Sequence, residues 1–357
     1  MVYFPESSVI TTVDGIQFKT FSNEHPPGFI IAKPKYIPLD EVFCESLQYR
    51  NLFNKDFNRL NLWSDKESLI YYLEAFLKSY PPYKLNSSYH QNWFFAIPHK
   101  KIKQILDPIK GIKTLMSTPE KERDNHLKKT IKFVELILQS KVSIDDLGIT
   151  FSTLAGHYDP KYSDINLVIY GKNNAWKIIK FLEKAKHPSL KWKTNEDWEK
   201  FRLKRNRSKI FSKEEFIEQM SNKKTEGFFD GTLFLLFPVE KEDEVWSRWG
   251  EESYNPQGLV EIEGEVTDDY DSLVRPGRFK IKNSRVLKGK KVQVSQVVFY
   301  SRDYVCQASQ GEKIKACGLL EEVKDKNNKT IYHRVVIGYF DSYINERRER
   351  EYIKKIN

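Results

Sequence analysis

Two stretches of the 357-residue chain carry side chains whose types and spacing could do chemistry. In residues 147–171, Ser152, Thr153, Gly156, Ser163 and Asp164 precede an apolar run, Ile165-Asn166-Leu167-Val168-Ile169-Tyr170. Hydroxyls and backbone N–H groups beside a glycine suit an oxyanion such as phosphate, because the missing Cβ lets the backbone come close. Asp164 supplies a carboxylate at the foot of the run, and residues 164 and 166 share one face if the run is a strand. The second stretch is residues 172–213, with fourteen Lys and Arg against four Asp and Glu. That surplus equals the net charge of +10, so the rest of the chain is neutral. A field so concentrated attracts a polyanion by neutralising phosphates and releasing counterions, although a solvated helix face has the same composition. Arg202, Lys204, Arg205, Arg207 and Lys209 form the densest cluster and are the expected phosphate contacts. Trp176, Trp192 and Trp198 interleave with the basic residues, as base stacking would require.

The stretch Gly148-Ile149-Thr150-Phe151-Ser152-Thr153-Leu154-Ala155-Gly156-His157, followed by Ser163-Asp164-Ile165-Asn166, resembles the core of nucleotidyltransferases of the DNA polymerase beta superfamily. That superfamily shows Gly-Ser, a loop with a second glycine, then Ser-Asp-hydrophobic-Asp on the next strand. Ser152, Gly156, Ser163 and Asp164 stand at matching positions. The chain is similar over most of its length to archaeal nucleotidyltransferase-domain proteins. The resemblance implies that Ser152, Thr153, Gly156 and Ser163 hold a nucleoside triphosphate, with His157 in the same loop. Asp164 would hold magnesium or manganese with two further acids, and two metals would stabilise the attacking and leaving oxygens of an in-line displacement.

Three departures bear on catalysis. Phe151 occupies the first glycine position, Asn166 replaces the second acid, and the Thr232–Val239 run has no acid inside it, only Asp230 and Glu240 at its flanks. A neutral amide cannot offset the charge of a metal pair. The expectation is a nucleotidyltransferase-fold protein, catalytically degenerate, that binds nucleotide and/or RNA or DNA through its basic segment. Two alternatives remain: an active metal-dependent nucleotidyltransferase acting on a nucleic acid or protein, and an interaction module in a nucleoprotein assembly.

These residues need elements to position them. Residues 15–21 and 29–32 read as strands around the His25-Pro26-Pro27-Gly28 turn. Ser64 is placed to cap a helix over 65–77, residues 92–98 predict a buried strand, and 100–106 a short helix. Thr118-Pro119 has the order that opens a helix, expected to run to Gln139. Strands at 165–171 and 232–239, with a helix to Lys184 between them, predict an α/β unit over 145–240. Beyond Gly258, short strands at 259–266, 278–281, 292–299, 312–323 and 331–337 predict a small barrel. The fold class expected is therefore α+β. It comprises an N-terminal α+β region over 1–115, a nucleotidyltransferase-like mixed sheet with helices over 116–250, and an OB-like barrel over 255–345.

An apolar content of 39% with 30% charged residues excludes global disorder. No run approaches the ~20 apolar residues of a membrane span, and the N-terminus lacks a charged head before an apolar run, so a cytoplasmic protein without a membrane partner is expected. Cys44, Cys306 and Cys317 form no CxxC pair and read as buried or incidental thiols. His25, His90, His99 and His333 have no metal-ligand spacing and read as structural. Lysine and isoleucine richness hints at a thermophile.

Overall fold

The structure, a computed structural model, describes residues 2–38, 57–59, 66–205, 207, 209–221, 223–343 and 346–356. Among these the chain forms three large sheets and seven α-helices, a mixed α+β architecture in which sheet predominates. Ser64, expected as a helix cap, and Cys44 lie outside the described residues.

The N-terminal sheet orders its strands Lys84–Ser87, Asn92–Pro98, Phe29–Pro38, Gln17–Thr20, Val9–Thr12 and Ile102–Leu106, with Phe57–Arg59 also on Phe29–Pro38. Every pairing in it is antiparallel. The helix expected over 100–106 is instead a 3-10 turn, His99–Lys101, followed by the strand Ile102–Leu106. Ile102, Ile105 and Leu106 have helical spacing, but so few residues between Pro98 and Pro108 cannot offset helix nucleation. Pairing with Val9–Thr12 satisfies their backbone instead.

The long helix expected from Thr118 is shorter, Asn125–Leu138, and Asp124 caps it by accepting from the Leu127 N–H at 2.9 Å. A further helix, Pro108–Ser117, precedes it, with the Asp107 carboxylate accepting from Ile109 N–H at 2.9 Å.

The central sheet orders its strands Leu147–Ile149, Ile165–Tyr170, Thr232–Val239, Glu226–Phe229 and Leu190–Trp192. Ile165–Tyr170 and Thr232–Val239 are parallel; the other pairs are antiparallel. Both parallel strands read as unbroken apolar runs because both faces are covered. Ile165, Leu167, Ile169, Phe234 and Leu236 join the core that includes the helices Asn125–Leu138 and Lys172–Lys184. Val168, Tyr170, Phe237 and Val239 alternate to the other face, where they meet Phe151 and Val9 of the N-terminal sheet.

The C-terminal strands are Ser253–Asp268, Gly277–Lys288, Gln296–Phe299, Lys313–Lys324, Thr330–Ile337 and Tyr352–Ile356. The first pairs with the second, the second with the third, the third in parallel with the fifth, the fifth with the fourth, and the fourth with the first. The pairing path thus returns to its first strand. Tyr352–Ile356, beyond the expected boundary at 345, adds to Lys313–Lys324.

Arg334 and Glu321 are cross-strand partners and almost fully buried, at 1% and 0% exposure. Their charges meet at 2.8 Å, Tyr339 Oη donates to Glu321 at 3.0 Å, and the guanidinium lies 3.6 Å from the Tyr254 ring centre. Removing one member of such a pair strands the other charge, at a cost of about 3–5 kcal/mol. Arg334→Met should therefore cost about that much in urea denaturation, and Glu321→Leu with Arg334→Met should recover most of it. Equal losses in the single and double variants would show that the two charges are not coupled.

Candidate functional site

Leu147–Ile149 runs antiparallel to Ile165–Tyr170 with Ile149 opposite Leu167, and the Thr150 N–H donates to the Asn166 carbonyl at 3.1 Å. The short helix Phe151–Ala155 follows and ends at Gly156, whose φ of +71° is one that glycine adopts without strain. Ser152 and Asp164 therefore lie at the same end of neighbouring strands. Phe151 itself has φ of +58°, the left-handed region, where a bulky residue is an outlier. Its ring is 6% exposed and meets Phe237 edge-on at 5.0 Å, with Lys35 Nζ 3.5 Å and Lys19 Nζ 4.4 Å from its centre.

The remaining loop residues are tied locally. Thr153 Oγ1 hydrogen-bonds His126 Nε2 at 3.0 Å, and Ser163 Oγ accepts the Asp159 N–H at 2.8 Å. Asn166 Nδ2 donates to the Asp164 carbonyl at 3.1 Å. His157, expected in the phosphate loop, is 1% exposed, with Nε2 at 3.1 Å from Gln17 Nε2 and its ring edge-on to Tyr36. The two flanking acids lie at opposite ends of Thr232–Val239. Asp230 is exposed at φ +48° in the hairpin between Glu226–Phe229 and Thr232–Val239. Glu240 follows Val239, which pairs with Tyr170, so it stands some seven residues and roughly 20 Å along the strands from Asp164. There it is buried, 3.3 Å from Lys172 Nζ, and Asn23 Nδ2 donates to it at 3.1 Å. Among the described residues no set of three or more His, Cys, Asp or Glu is placed to hold a metal.

The basic segment, residues 172–213, folds into the helix Lys172–Lys184, the strand Leu190–Trp192 and the helix Asn195–Lys204, and its cations divide. Arg202 is buried, bidentate to Glu199 at 2.7 and 2.9 Å, and donates to the Phe211 carbonyl at 3.0 Å. That guanidinium is held inside the segment rather than turned to a surface ligand. Arg205 stacks over Phe201 at 4.7 Å, and Arg207 pairs with Asp303 at 3.1 Å. Lys209 meets Glu349 at 3.2 Å with both side chains largely exposed, and Lys204 is exposed. Trp176, Trp192 and Trp198 all pack against the core, Trp198 with 2% exposure, so none stands out as a stacking platform.

Other cations, not singled out by sequence, gather against the Phe151 face. Lys19 and Lys33 are direct cross-strand partners in the N-terminal sheet, and Lys35 lies two residues along the same face. Burial pulls the Lys19 and Lys33 ammonium groups well below the ordinary lysine range, and Arg275 is among the neighbouring charges that lower both further. Arg302 lies 4.3 Å from the Phe237 ring and donates to the Leu236 carbonyl, while burial lowers it to about 10. Arg275 reaches Glu6 at 3.2 Å, and Lys19 reaches the same fully buried carboxylate at 3.5 Å. The signal in the chain was Lys33-Pro34-Lys35, two lysines alternating within an otherwise apolar strand.

No protein-family model matches the chain, and no solved structure matches it. It is 30% identical over 351 residues to the uncharacterized protein MJ1086 of the archaeon Methanocaldococcus jannaschii, covering 95% of this chain and 98% of the relative. The chain belongs to that protein's family. The match spans all three sheets, so the N-terminal sheet and the C-terminal strands belong to the shared framework as much as the central sheet does. No described helix is long and apolar enough to cross a membrane. Cys306 and Cys317 are half-buried, and burial pushes their thiols up to about 12 and about 11.

A narrow cleft is walled by His90, Trp249, Tyr254 and Tyr300, with Glu24 on its lining. Burial raises the Glu24 carboxyl to about 7, and burial likewise raises Glu240 and Glu351 to about 7.

Two outcomes follow from this geometry. In the left-handed conformation at 151, glycine is unstrained and alanine is not, so Phe151→Gly should be more stable than Phe151→Ala by about 1 kcal/mol. Chemical denaturation of the two variants reads this directly; the usual helix order, with alanine ahead, would contradict it. Glu24, Glu240 and Glu351 bind protons more tightly folded than unfolded. Their penalty is absent below the unfolded carboxyl pKa of about 4.3 and grows as pH rises through about 7. Glu226 has the opposite sign: burial alone would raise it, but Lys223 and Lys193 hold it at about 2, so its contribution is lost only in acid. Glu24→Gln should flatten the fall in melting temperature between about pH 5 and about pH 8, and an unchanged slope would refute the assignment.

Proposed function

We propose that this protein is a nucleotidyltransferase-fold chain whose transfer chemistry has been lost and which binds a phosphate-bearing ligand, a nucleotide or nucleic acid. The observation that carries the reading is Phe151. It keeps a left-handed backbone, φ +58°, at the position where the superfamily has its first glycine, followed by Ser152, Gly156, Ser163 and Asp164 in matching order. An ancestral glycine explains a backbone that phenylalanine would not choose. The face that would carry the acids has Asn166 on one strand and Leu235 and Phe237 on the next, with Phe151 packed upon them. Two divalent cations placed there would have Asp164 as their one nearby acid from the motif, too little charge to offset their repulsion.

The C-terminal pairing path supports a small barrel of the OB type, a fold often used to bind oligonucleotides. Its first connection is turned inward: Asp271, Ser272, Leu273, Val274 and Arg275 are buried. Lys204 leaves positive charge at the surface of the basic segment, which favours salt-dependent, sequence-independent contact with RNA or DNA.

The test is incubation of the full chain with labelled nucleoside triphosphates, magnesium or manganese, and an RNA or DNA pool. Incorporation at background level, the same in Asp164→Ala, is expected. Robust incorporation that disappears in Asp164→Ala would instead make the protein an active metal-dependent nucleotidyltransferase.

A further inference from the structure

The outer faces of two helices carry charge that neither the motif loop nor the cluster at residues 202–209 uses. In Asn125–Leu138, Lys128 and Lys132 are exposed about one helical turn apart. In Lys172–Lys184, Lys177, Lys180 and Lys184 are exposed at a spacing of three and then four residues, which puts them on one face. Lys141 and Lys186, just beyond the two helices, are exposed as well. Residues 128–141 and 177–186 therefore present seven exposed lysines against two acids, Glu135 and Glu183. Among the described residues none of the seven forms an ion pair, whereas Arg202, Arg207 and Lys209 each meet a carboxylate. Like charges four residues apart, as at 128 and 132 and again at 180 and 184, oppose helix formation, and a face that only needed solvating would be better served by alternating signs.

The fold joins the two faces. Phe133 and His187 lie against the same ring, Phe229, with centres at 5.1 and 5.4 Å, so the middle of the first helix stands beside the end of the second. Lys177 Nζ donates to the Lys141 carbonyl at 3.1 Å, which brings the end of the first helix to the first half of the second. The helices touch and run antiparallel, and Lys128 and Lys132 share one end of the layer with Lys180 and Lys184. Helices packed in this way have axes about 8–10 Å apart, and Lys177 to Lys184 spans about 10 Å along its axis. Leu167, Ile169, Phe234 and Leu236 face these helices, while Phe151 and Val9 meet the other face of the central sheet. The lysines thus stand on the side of that sheet away from the motif loop.

We infer that this helix layer docks the phosphate backbone of a nucleic-acid duplex. The inference rests on the nucleic-acid reading above and gives it a surface; it makes no use of the nucleotidyltransferase motif. A duplex carries one charge per ~1.7 Å of its axis, twice the density of one strand, so several phosphates fall within the length of the patch. None of the large apolar or aromatic side chains exposed among the described residues lies in 128–141 or 177–186. No ring is therefore present to stack an unpaired base, the contact on which single-strand sites depend. Lysines without such rings hold phosphates as point charges and read no sequence.

Fluorescence anisotropy of the full chain over a salt titration tests this with a short labelled DNA duplex, an RNA duplex of the same sequence, either strand alone, and vesicles of anionic lipid as competitor. Tighter binding of a duplex than of its strands is expected, and the better of the two duplexes identifies the sugar. Combining Lys128→Gln, Lys132→Gln, Lys180→Gln and Lys184→Gln should lower the salt slope by about one for each lysine that touches a phosphate and weaken duplex binding about tenfold or more at about 0.1 M salt. A charge-matched variant on the C-terminal strands and their turns, Lys290→Gln with Lys291→Gln, Lys326→Gln and Lys329→Gln, all at exposed positions, should keep the original slope and affinity. Exposed substitutions of this kind change stability little, and thermal melting of both variants verifies that they are folded. Equal losses in the two variants, strands bound as tightly as duplexes, or displacement of the duplex by the vesicles would overturn the inference. Duplex binding unchanged in the helix variant would also overturn it and leave the nucleic-acid reading standing, whereas a chain that binds no nucleic acid at all would remove both.

Discussion

The N-terminal sheet meets the central sheet with Lys19 opposite Lys33, both half-buried, and much of the surrounding structure answers that constraint. An ammonium group out of water must find a carboxylate, an aromatic face or an anion. Lys19 finds the first two: Glu6 at 3.5 Å and the rings of Phe151 and Phe237 at 4.4 and 4.6 Å. Glu6 can sit there, fully buried, because its backbone N–H is held by the Asn23 side chain at 2.8 Å and because Arg275 arrives from the C-terminal strands. The neighbouring Ser7 carbonyl accepts from Thr150 Oγ1, which fixes the start of the motif loop against the N-terminal sheet. One residue pair in a peripheral sheet thus reaches the loop at the centre and the connection at the far end.

Phe151 sits where these demands meet. As a glycine, it would relieve a left-handed backbone and open the loop for an oxyanion; as phenylalanine, it supplies a face for two lysines and an edge against Phe237. Strain of about 1–3 kcal/mol persists at such positions only when surrounding packing over-determines them. Here the packing is visible on every side of the ring. Phe151 therefore also lets the N-terminal sheet close over the central one.

How much of this was legible in the chain depends on the range of the contact. The strands at 165–170 and 232–239 were legible because both are buried on two faces and read as unbroken apolar runs bounded by turns. The helix Pro108–Ser117 carried a visible start in Asp107-Pro108, but Gly111 in its first turns reads as a breaker. A Cβ there would come within 2.4 Å of Leu154 Cδ1, so the glycine lets this helix lie against the motif loop, a reason that only the fold reveals. Ser152 and Asp164 were legible as neighbours through the spacing of one loop. Glu240 was not separable from them by sequence, because its distance from Asp164 depends on the parallel register of two strands far apart in the chain. The pairing of Lys19 with Lys33 was hidden for the same reason: register decides which lysines face one another, and composition does not record it.

The same distinction separates the charge counted along the chain from the charge gathered in the fold. Residues 172–213 hold the whole net surplus, yet Arg202 and Arg207 are matched by Glu199 and Asp303, and Lys193 lies against Glu226 and Trp198. Lys19, Lys33, Arg275 and Arg302 lie outside that stretch, and they come from four places in the chain that fold onto one another: two strands of the N-terminal sheet, the connection before Gly277 and the turn Arg302–Tyr304. An electrostatic potential is set by distance in space and by the dielectric around each charge, so charge summed along the chain does not locate it.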